Sequence, residues 1–161
     1  MGMIRTNCLD ASAIVKLLIA EAGSDKLRKY FTKQTCFYTT SLCFAEALGV
    51  LKAKHLRCEI TQEEYLDTCY QLLSYVHPDN IGIDIIEIEI KKRVAFDDVE
   101  NLVKKYSIDV SDAFQIYTLK EVFSNFAGDS APILITADRG LATAAENEGL
   151  RVWNCIEDPS P

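Results

Sequence analysis

The 161-residue sequence predicts an α/β protein built around a parallel sheet. Short apolar runs alternate along it with longer stretches whose apolar residues recur at helical spacing, a pattern typical of parallel strands joined by crossover helices. The length suits one domain with its own core. A hydrophobic fraction of 48% and a charged fraction of 25% exclude disorder and a coiled coil as descriptions of the whole chain.

The first half of the chain is expected to contain two strands and four helices. Apolar residues three or four apart indicate a helix, and short runs without that period indicate a strand. Ser41 is expected to cap the third helix, and Thr61 with Glu64 has the pattern of a capping box. The predicted strands span 3–9 and 36–38, and the helices span 11–20, 25–33, 41–55 and 61–76.

The second half is expected to supply the remaining strands and helices of a single domain at 1–156. Ser111 is expected to cap one helix, and Gly149 has the position of a glycine that ends another. Residues 157–161 are expected to form a loose tail. The predicted strands span 81–86, 132–136 and 150–153, and the helices span 88–106 with a break near 97–98, 111–126 and 138–149.

The charge of the chain is uneven. The formal net charge is −7, but residues 1–57 carry nine Lys or Arg against four Asp or Glu, whereas residues 58–161 carry eight against twenty. The total argues against a non-specific coat on nucleic acid, which needs basic groups to replace counterions. It leaves open a local contact with nucleic acid near the basic first third.

The cysteines and the N-terminus favour a cytosolic protein. No two of the six cysteines have the C-x-x-C spacing of a zinc or redox centre, and several have apolar neighbours. We expect them to be reduced and mostly buried. No secretory leader and no membrane span is expected, since the apolar runs are short.

Three aspartates stand where a strand or loop gives way to a helix: Asp10, Asp112 and Asp138. In an open parallel sheet these junctions gather at the carboxyl edge of the strands, where ligand sites form. Each aspartate has an alternative interpretation as a helix cap or as a favourable charge in a first helical turn.

Glu46 is the fourth candidate acid. On a helical projection it shares a face with Leu42, Cys43 and Val50, which predicts a position toward the core. A carboxylate there needs a metal or a base to offset its desolvation. Lys16 is one candidate for an ion pair with Glu46.

Together, the four acids predict a site for a hard metal ion. Carboxylates about 4 Å apart repel each other by about 4 kcal/mol at an effective dielectric constant of 20, so a cluster requires a cation or protonation. Mg²⁺ and Mn²⁺ prefer such oxygen ligands. His55 and His77 do not have the pattern of a zinc site.

From Leu9 to Trp153 the chain resembles the PIN-domain ribonucleases, and among them the VapC-like toxins of toxin–antitoxin pairs. The four motifs that carry the resemblance occur in the family's order. They are Asp10-Ala11-Ser12-Ala13 after the first strand, Ser41 to Glu46 in a helix, Asp112-Ala113 at the start of a late helix, and Thr136-Ala137-Asp138 after a strand.

The resemblance implies a three-layer α/β/α PIN-like fold with a parallel sheet of four or five strands, and a Mg²⁺-dependent endoribonuclease in which Asp10, Glu46, Asp112 and Asp138 hold the metal. It also implies a homodimer and an antitoxin that masks the pocket. Some relatives carry a further acid after the last aspartate, where this chain has Arg139, so one metal and two metals both stay open. Supporting hydroxyls are expected from Ser12, Ser41 and Thr136, and contacts to RNA from Lys52, Lys54, Arg57 and Arg139.

Other functions stay open at this point. A PIN-like RNA-processing nuclease without an antitoxin has the same sequence pattern, and a small upstream gene for a DNA-binding partner would distinguish the two. A non-catalytic domain that binds RNA or protein would not need all four acids. A phosphotransfer receiver and a dehalogenase-like phosphatase fit poorly, since the latter needs Asp-x-Asp where this chain has Asp10-Ala11-Ser12.

Overall fold

A computed structural model describes residues 5–34, 36–80, 82–126 and 128–161. It contains a five-stranded, all-parallel sheet in the order β3-β2-β1-β4-β5. The strands are β1 (Asn7–Leu9), β2 (Phe37–Thr40), β3 (Ile83–Ile86), β4 (Ile133–Thr136) and β5 (Arg151–Asn154). The helices are α1 (Ala11–Leu18), α2 (Ser24–Phe31), α3 (Ser41–Leu56), α4 (Gln62–Tyr75), α5 (Arg93–Tyr106), α6 (Val110–Val122) and α7 (Arg139–Asn147), with a 3₁₀ turn at Gly128–Ser130.

The sheet has an apolar layer on each face. Successive side chains of a strand point to opposite faces, so Leu9 packs with α1, α2, α3 and α4, whereas Cys8 packs with α5, α6 and α7. The same alternation separates Ile133 and Ile135 from Leu134 on β4. This arrangement confirms the predicted three-layer α/β/α architecture and fixes the sheet at five strands.

The strand order places a ligand crevice beside β1. The chain runs outward from β1 to β2 and β3, and then returns to the other side of β1 with β4 and β5. In an open α/β sheet, the point where the strand order reverses leaves a crevice at the carboxyl ends of the two strands. Here that point lies between β1 and β4, which are followed by Asp10 and Asp138.

Two predicted helix caps are wrong by one or two residues. Thr40, not Ser41, caps α3, because Thr40 has the extended backbone of a cap and its hydroxyl accepts the Cys43 amide at 3.1 Å. Asp109, not Ser111, caps α6, since its Oδ1 accepts the Asp112 amide at 2.8 Å. Both serines are therefore helical residues.

Several other boundaries differ from the prediction. Residues 5 and 6 of the predicted strand at 3–9 precede β1, which begins at Asn7, and residues 3 and 4 lie outside the described residues. Helix α5 begins at Arg93 rather than at 88 and is unbroken at 97–98. Its buried residues Ala95, Val99 and Leu102 form one stripe that runs past 97–98, where both aspartates face solvent.

Other expectations about helix ends are confirmed. The Thr61 amide donates to Glu64 Oε2 at 2.7 Å and the Glu64 amide donates to Thr61 Oγ1 at 3.1 Å, which completes the capping box. Gly149 follows the end of α7 with φ +84°, a conformation that favours glycine. Among the described residues, no helix combines the length and the apolar character needed to cross a membrane.

The chain beyond β5 returns to the domain. The Asn154 amide donates to Asp158 Oδ2 at 2.9 Å, and Lys26 Nζ donates to the Asp158 carbonyl at 2.5 Å. The division into a domain at 1–156 and a loose tail at 157–161 stays a prediction.

Candidate active site at the carboxyl edge of the sheet

The four acids singled out in the sequence line one open pocket of about 400 Å³. The pocket lies at the point where the strand order reverses, between the ends of β1 and β4. Asp10 follows β1 and Asp138 follows β4, while α3 and α6 bring in the other two acids, Glu46 and Asp112. The topology therefore brings together carboxylates that are up to 128 positions apart in the chain.

Asp10 is the buried member of the set, with 5% of its surface exposed. Its Oδ2 accepts hydrogen bonds from the Ser12 hydroxyl at 2.5 Å and the Thr136 hydroxyl at 2.9 Å. Burial raises the pKa of Asp10, and these hydrogen bonds lower it in part. The other oxygen, Oδ1, lies 3.9 Å from the Cys43 sulfur, whose thiol pKa is raised by burial and by the Asp10 charge.

Ser12 and Thr136 also connect the two strand ends. The Ala137 amide donates to Ser12 Oγ at 2.9 Å, and the Asp138 amide donates to Thr136 Oγ1 at 3.0 Å. The two hydroxyls thus hold Asp10 and the start of the β4–α7 connection in one hydrogen-bonded network. Ser41, the third predicted supporting hydroxyl, opens α3 and is not among the described residues that line the pocket.

Asp112 has a strongly raised pKa. Burial raises its pKa most, followed by the charges of Asp109, Asp10, Asp138 and Glu46, and together they bring it to about 7. Such a value means that the neighbouring carboxylates repel one another when no cation offsets them.

Asp109 is a pocket residue that the sequence reasoning missed. It lines the pocket, caps α6 and contributes to the raised pKa of Asp112. The available signal was the spacing Asp109-x-x-Asp112, in which the first residue can accept the amide of the second as an N-cap. Because Ser111 is also a good N-cap by residue type, the sequence alone did not identify Asp109 as the cap.

Glu46 is exposed, and the prediction that it faces the core is wrong. The buried stripe of α3 is Cys43, Ala47 and Leu51, which leaves Glu46 at the pocket rim. Partial burial and the charges of Asp10 and Asp109 raise its pKa, and a hydrogen bond from Ser111 Oγ to Glu46 Oε2 at 3.3 Å lowers it. The alternative ion pair with Lys16 is not formed, because Lys16 Nζ binds Glu21 at 3.1 Å.

Asp138 combines a structural role with its place in the pocket. Its Oδ1 accepts the Leu141 amide at 2.9 Å, which caps α7. A Cβ atom at position 140 would lie only 3.1 Å from this oxygen, so Gly140 gives the carboxylate room to turn back over the helix. The capping interpretation is therefore confirmed, and the same residue also lines the pocket.

The four predicted RNA-contacting bases divide into two groups. Lys54 and Arg57 line the acidic pocket, together with Lys16. Lys52 is not among the described residues that line it, and its Nζ lies 5.1 Å from the centre of the Tyr65 ring. Arg139 is exposed and forms an ion pair with Glu157.

The donor set of the pocket suits Mg²⁺ or Mn²⁺ by type. Within the described parts of the chain, no three His, Cys, Asp or Glu side chains form a ready-made cage for an ion. Mg²⁺ does not require one, because it keeps several waters and binds proteins through one or two carboxylates. The pKa values of Asp10, Glu46 and Asp112 are raised, as expected for carboxylates that have no cation beside them. A bound divalent cation would lower these pKa values.

A second cleft of about 270 Å³ lies between α5, α6 and the end of α7. Its two lysines are already paired, since the Glu148 carboxylate accepts hydrogen bonds from Lys105 at 2.9 Å, Tyr106 at 2.7 Å and Lys120 at 2.6 Å. These partners lower the pKa of Glu148 to about 2. The centre of this cleft thus has the character of a structural ion-pair network, whereas the acidic pocket has carboxylates with raised pKa values.

No known family model and no curated protein matches this sequence. Several solved structures match the fold. PAE2754 from Pyrobaculum aerophilum has a TM-score of 0.58 at 21% identity, covering 94% of this chain and 85% of its own. VapC20 of Mycobacterium tuberculosis, described as a sarcin-ricin loop cleaving toxin, has a TM-score of 0.59 at 10% identity, covering 86% and 95%.

A third similar structure is FitAB bound to the IR36 DNA fragment, with a TM-score of 0.56 at 14% identity, covering 96% of this chain and 99% of the matched chain. The three matches cover most of the residues on both sides, so the likeness extends over the whole sheet and its flanking helices. At these identities the likeness establishes the fold. The chain has a VapC-like PIN fold.

Proposed function

We propose that this protein is a metal-dependent endoribonuclease that hydrolyses RNA phosphodiester bonds in the acidic pocket, and that it is the toxin of a toxin–antitoxin pair. The observation that carries the proposal is the convergence of Asp10, Glu46, Asp112 and Asp138 at the crevice of the sheet. The similarity to VapC20, a toxin that cleaves a sarcin-ricin loop, supports RNA as the substrate.

The four carboxylates would hold one or two Mg²⁺ or Mn²⁺ ions. A bound ion of this type supplies a water of lowered pKa and positive charge for the scissile phosphate. Ser12 and Thr136 keep Asp10 Oδ2 fixed, so that the buried carboxylate presents a single orientation to the pocket. Burial and the neighbouring carboxylates, Asp109 first among them, raise the pKa of Asp112, and a bound cation would lower it.

The partners follow from the same proposal. One similar structure, FitAB, is bound to a DNA fragment. We infer for this chain an antitoxin that covers the acidic pocket and a homodimeric state in the cytoplasm. Purification of the chain together with the product of a small neighbouring gene, followed by a cleavage assay, tests the antitoxin. Unchanged cleavage by the complex would contradict it.

The central experiment measures cleavage of single-stranded and structured RNA with EDTA, Mg²⁺ or Mn²⁺. Asp10→Asn should abolish metal-dependent cleavage and keep the fold, because it removes the buried negative charge with almost no change in shape. Asp25→Asn is the matched control, since Asp25 is exposed on α2 and outside the pocket lining. Cleavage that persists in EDTA, or full activity in Asp10→Asn, would refute the proposed function.

A further inference from the structure

The turn that ends α3 places the Glu59 carboxylate against two basic side chains of the pocket. Arg57 is the C-cap, and Cys58 follows with φ +59°. The Glu59 amide donates to the Lys54 carbonyl at 2.9 Å and the Cys58 amide donates to the His55 carbonyl at 2.9 Å. This is the hydrogen-bond pattern of a Schellman motif, which places the second residue after the cap beside the residue five positions earlier.

A hydrophobic contact often joins these two residues in a Schellman motif, whereas here the contact is an ion pair. Glu59 Oε2 lies 3.1 Å from Lys54 Nζ, and Glu59 Oε1 lies 2.6 Å from Arg57 Nε. Lys54 and Arg57 line the acidic pocket, while Glu59 is not among the described residues that line it.

We propose that Glu59 competes with RNA phosphate for Lys54 and Arg57. In the free protein, these two phosphate-binding bases are paired with the Glu59 carboxylate. This inference rests on the proposed function. Carboxylate and phosphate oxygens are bound by the same ammonium and guanidinium donors. An incoming phosphate therefore has to replace the Glu59 carboxylate, and both groups carry negative charge.

The ion pairs that Glu59 forms with Lys54 and Arg57 are weak enough for an RNA phosphate to displace the carboxylate. The side chains of Arg57 and Glu59 are 58% and 42% exposed, and ion pairs at that exposure are screened by water and salt. Lys54 is better covered, at 16%, and keeps a second partner in Glu21 when Glu59 leaves. Lys54 thus stays oriented at the pocket rim, while Arg57 becomes free to follow the RNA backbone.

The test compares Glu59→Gln with Glu63→Gln, which removes the same unit of charge from an exposed residue of α4 that is outside the pocket lining. All variants carry Asp112→Asn so that a labelled single-stranded RNA stays intact in Mg²⁺. Glu59→Gln should tighten RNA binding about two- to fivefold relative to Glu63→Gln, the range expected for one exposed ion pair. The slope of log affinity against log salt should steepen by about 0.7 for each base that is released.

Adding Arg57→Gln to Glu59→Gln should remove most of the gain. Equal affinities and slopes for Glu59→Gln and Glu63→Gln would overturn the competition and leave the nuclease proposal intact. An absence of RNA binding in every variant would also overturn it, and the cleavage assay of the parent protein then decides whether the proposed function fails as well. A gain that survives Arg57→Gln and Lys54→Gln together would overturn the assignment of the bases.

Discussion

The acidic pocket should destabilise the metal-free protein, and Asp112→Asn should relieve part of that destabilisation. Burial and four neighbouring carboxylates raise the pKa of Asp112 from 3.8 to about 7. A group whose pKa is raised on folding opposes folding when it is ionised. The opposition is absent below the unfolded pKa, grows as the pH rises toward about 7, and is constant above that pH.

The size of the effect follows from the shift. One pKa unit corresponds to about 1.4 kcal/mol, so the shift sets an upper limit of about 4 kcal/mol. Because Asp112 is only partly buried, solvent screening reduces this to roughly 2 kcal/mol. The substitution also removes a negative charge from the first turn of α6, which lowers the free energy of unfolding by about 0.5 kcal/mol. Asp112→Asn should therefore stabilise the metal-free protein by about 1.5 kcal/mol at about pH 8.

Thermal unfolding in EDTA measures this gain. In a protein of this length the gain corresponds to a rise in Tm of about 3–6 °C at about pH 8, and to a smaller rise at about pH 5. Asp97→Asn is the matched control, because Asp97 is exposed on α5. Saturating Mg²⁺ should raise the Tm of the parent protein more than that of Asp112→Asn.

A Tm of Asp112→Asn that is equal to or below that of the parent at about pH 8 in EDTA would refute the reasoning. So would a gain that is larger at the lower pH, because the sign of the linkage would then be reversed. The first result would mean that water or counterions already screen the pocket in the free protein, and the second would mean that folding lowers the pKa of Asp112.

Three further changes test the supports of the fold and the site. Thr136→Val should destabilise the protein by about 1–3 kcal/mol in urea unfolding, since it leaves the buried Asp10 Oδ2 without one of its donors; no loss of stability would contradict this role. Cys58→Gly should stabilise by about 1 kcal/mol, because glycine adopts the observed φ of +59° without a Cβ penalty, and an unchanged unfolding midpoint would count against it. Glu148→Gln should destabilise by about 1–2 kcal/mol; the difference should be present above the ordinary glutamate pKa of 4.5 and disappear as the pH falls toward about 2, where the parent's Glu148 is protonated too.

The convergence of the acids could be predicted because it depends only on topology. Asp10 and Asp138 each follow a strand, and in a parallel sheet all such ends share one edge. The sequence pattern also marks Asp112 at the first turn of a helix. No side-chain detail is needed to place these three residues in the same crevice.

Apolar residues that do not mark a buried helix face account for the errors at Glu46 and before α5. Helix α3 is apolar on most sides, so the pattern around Glu46 could not show that the buried stripe is Cys43, Ala47 and Leu51. Ile88 and Ile90 continue the helical spacing of apolar residues, which is why α5 was predicted to begin at 88. Ile90 is half exposed, however, and both residues precede the helix. The cap predictions failed for a different reason. Ser41 is by residue type at least as good a cap as Thr40, and only the backbone angles show that Thr40 is the cap.

The excess of acids over bases constrains how RNA could approach. Among the described residues, six acids and three bases line the pocket, so their formal charge without a metal is negative by three units. One divalent cation leaves it negative by one unit, whereas two make it positive by one. Loss of the Glu59 carboxylate changes the neighbourhood of Lys54 and Arg57 but not the pocket lining itself. If one ion suffices, RNA must therefore bind mainly through these two bases, and removing them should abolish binding even at saturating Mg²⁺; if two ions bind, substantial affinity should remain.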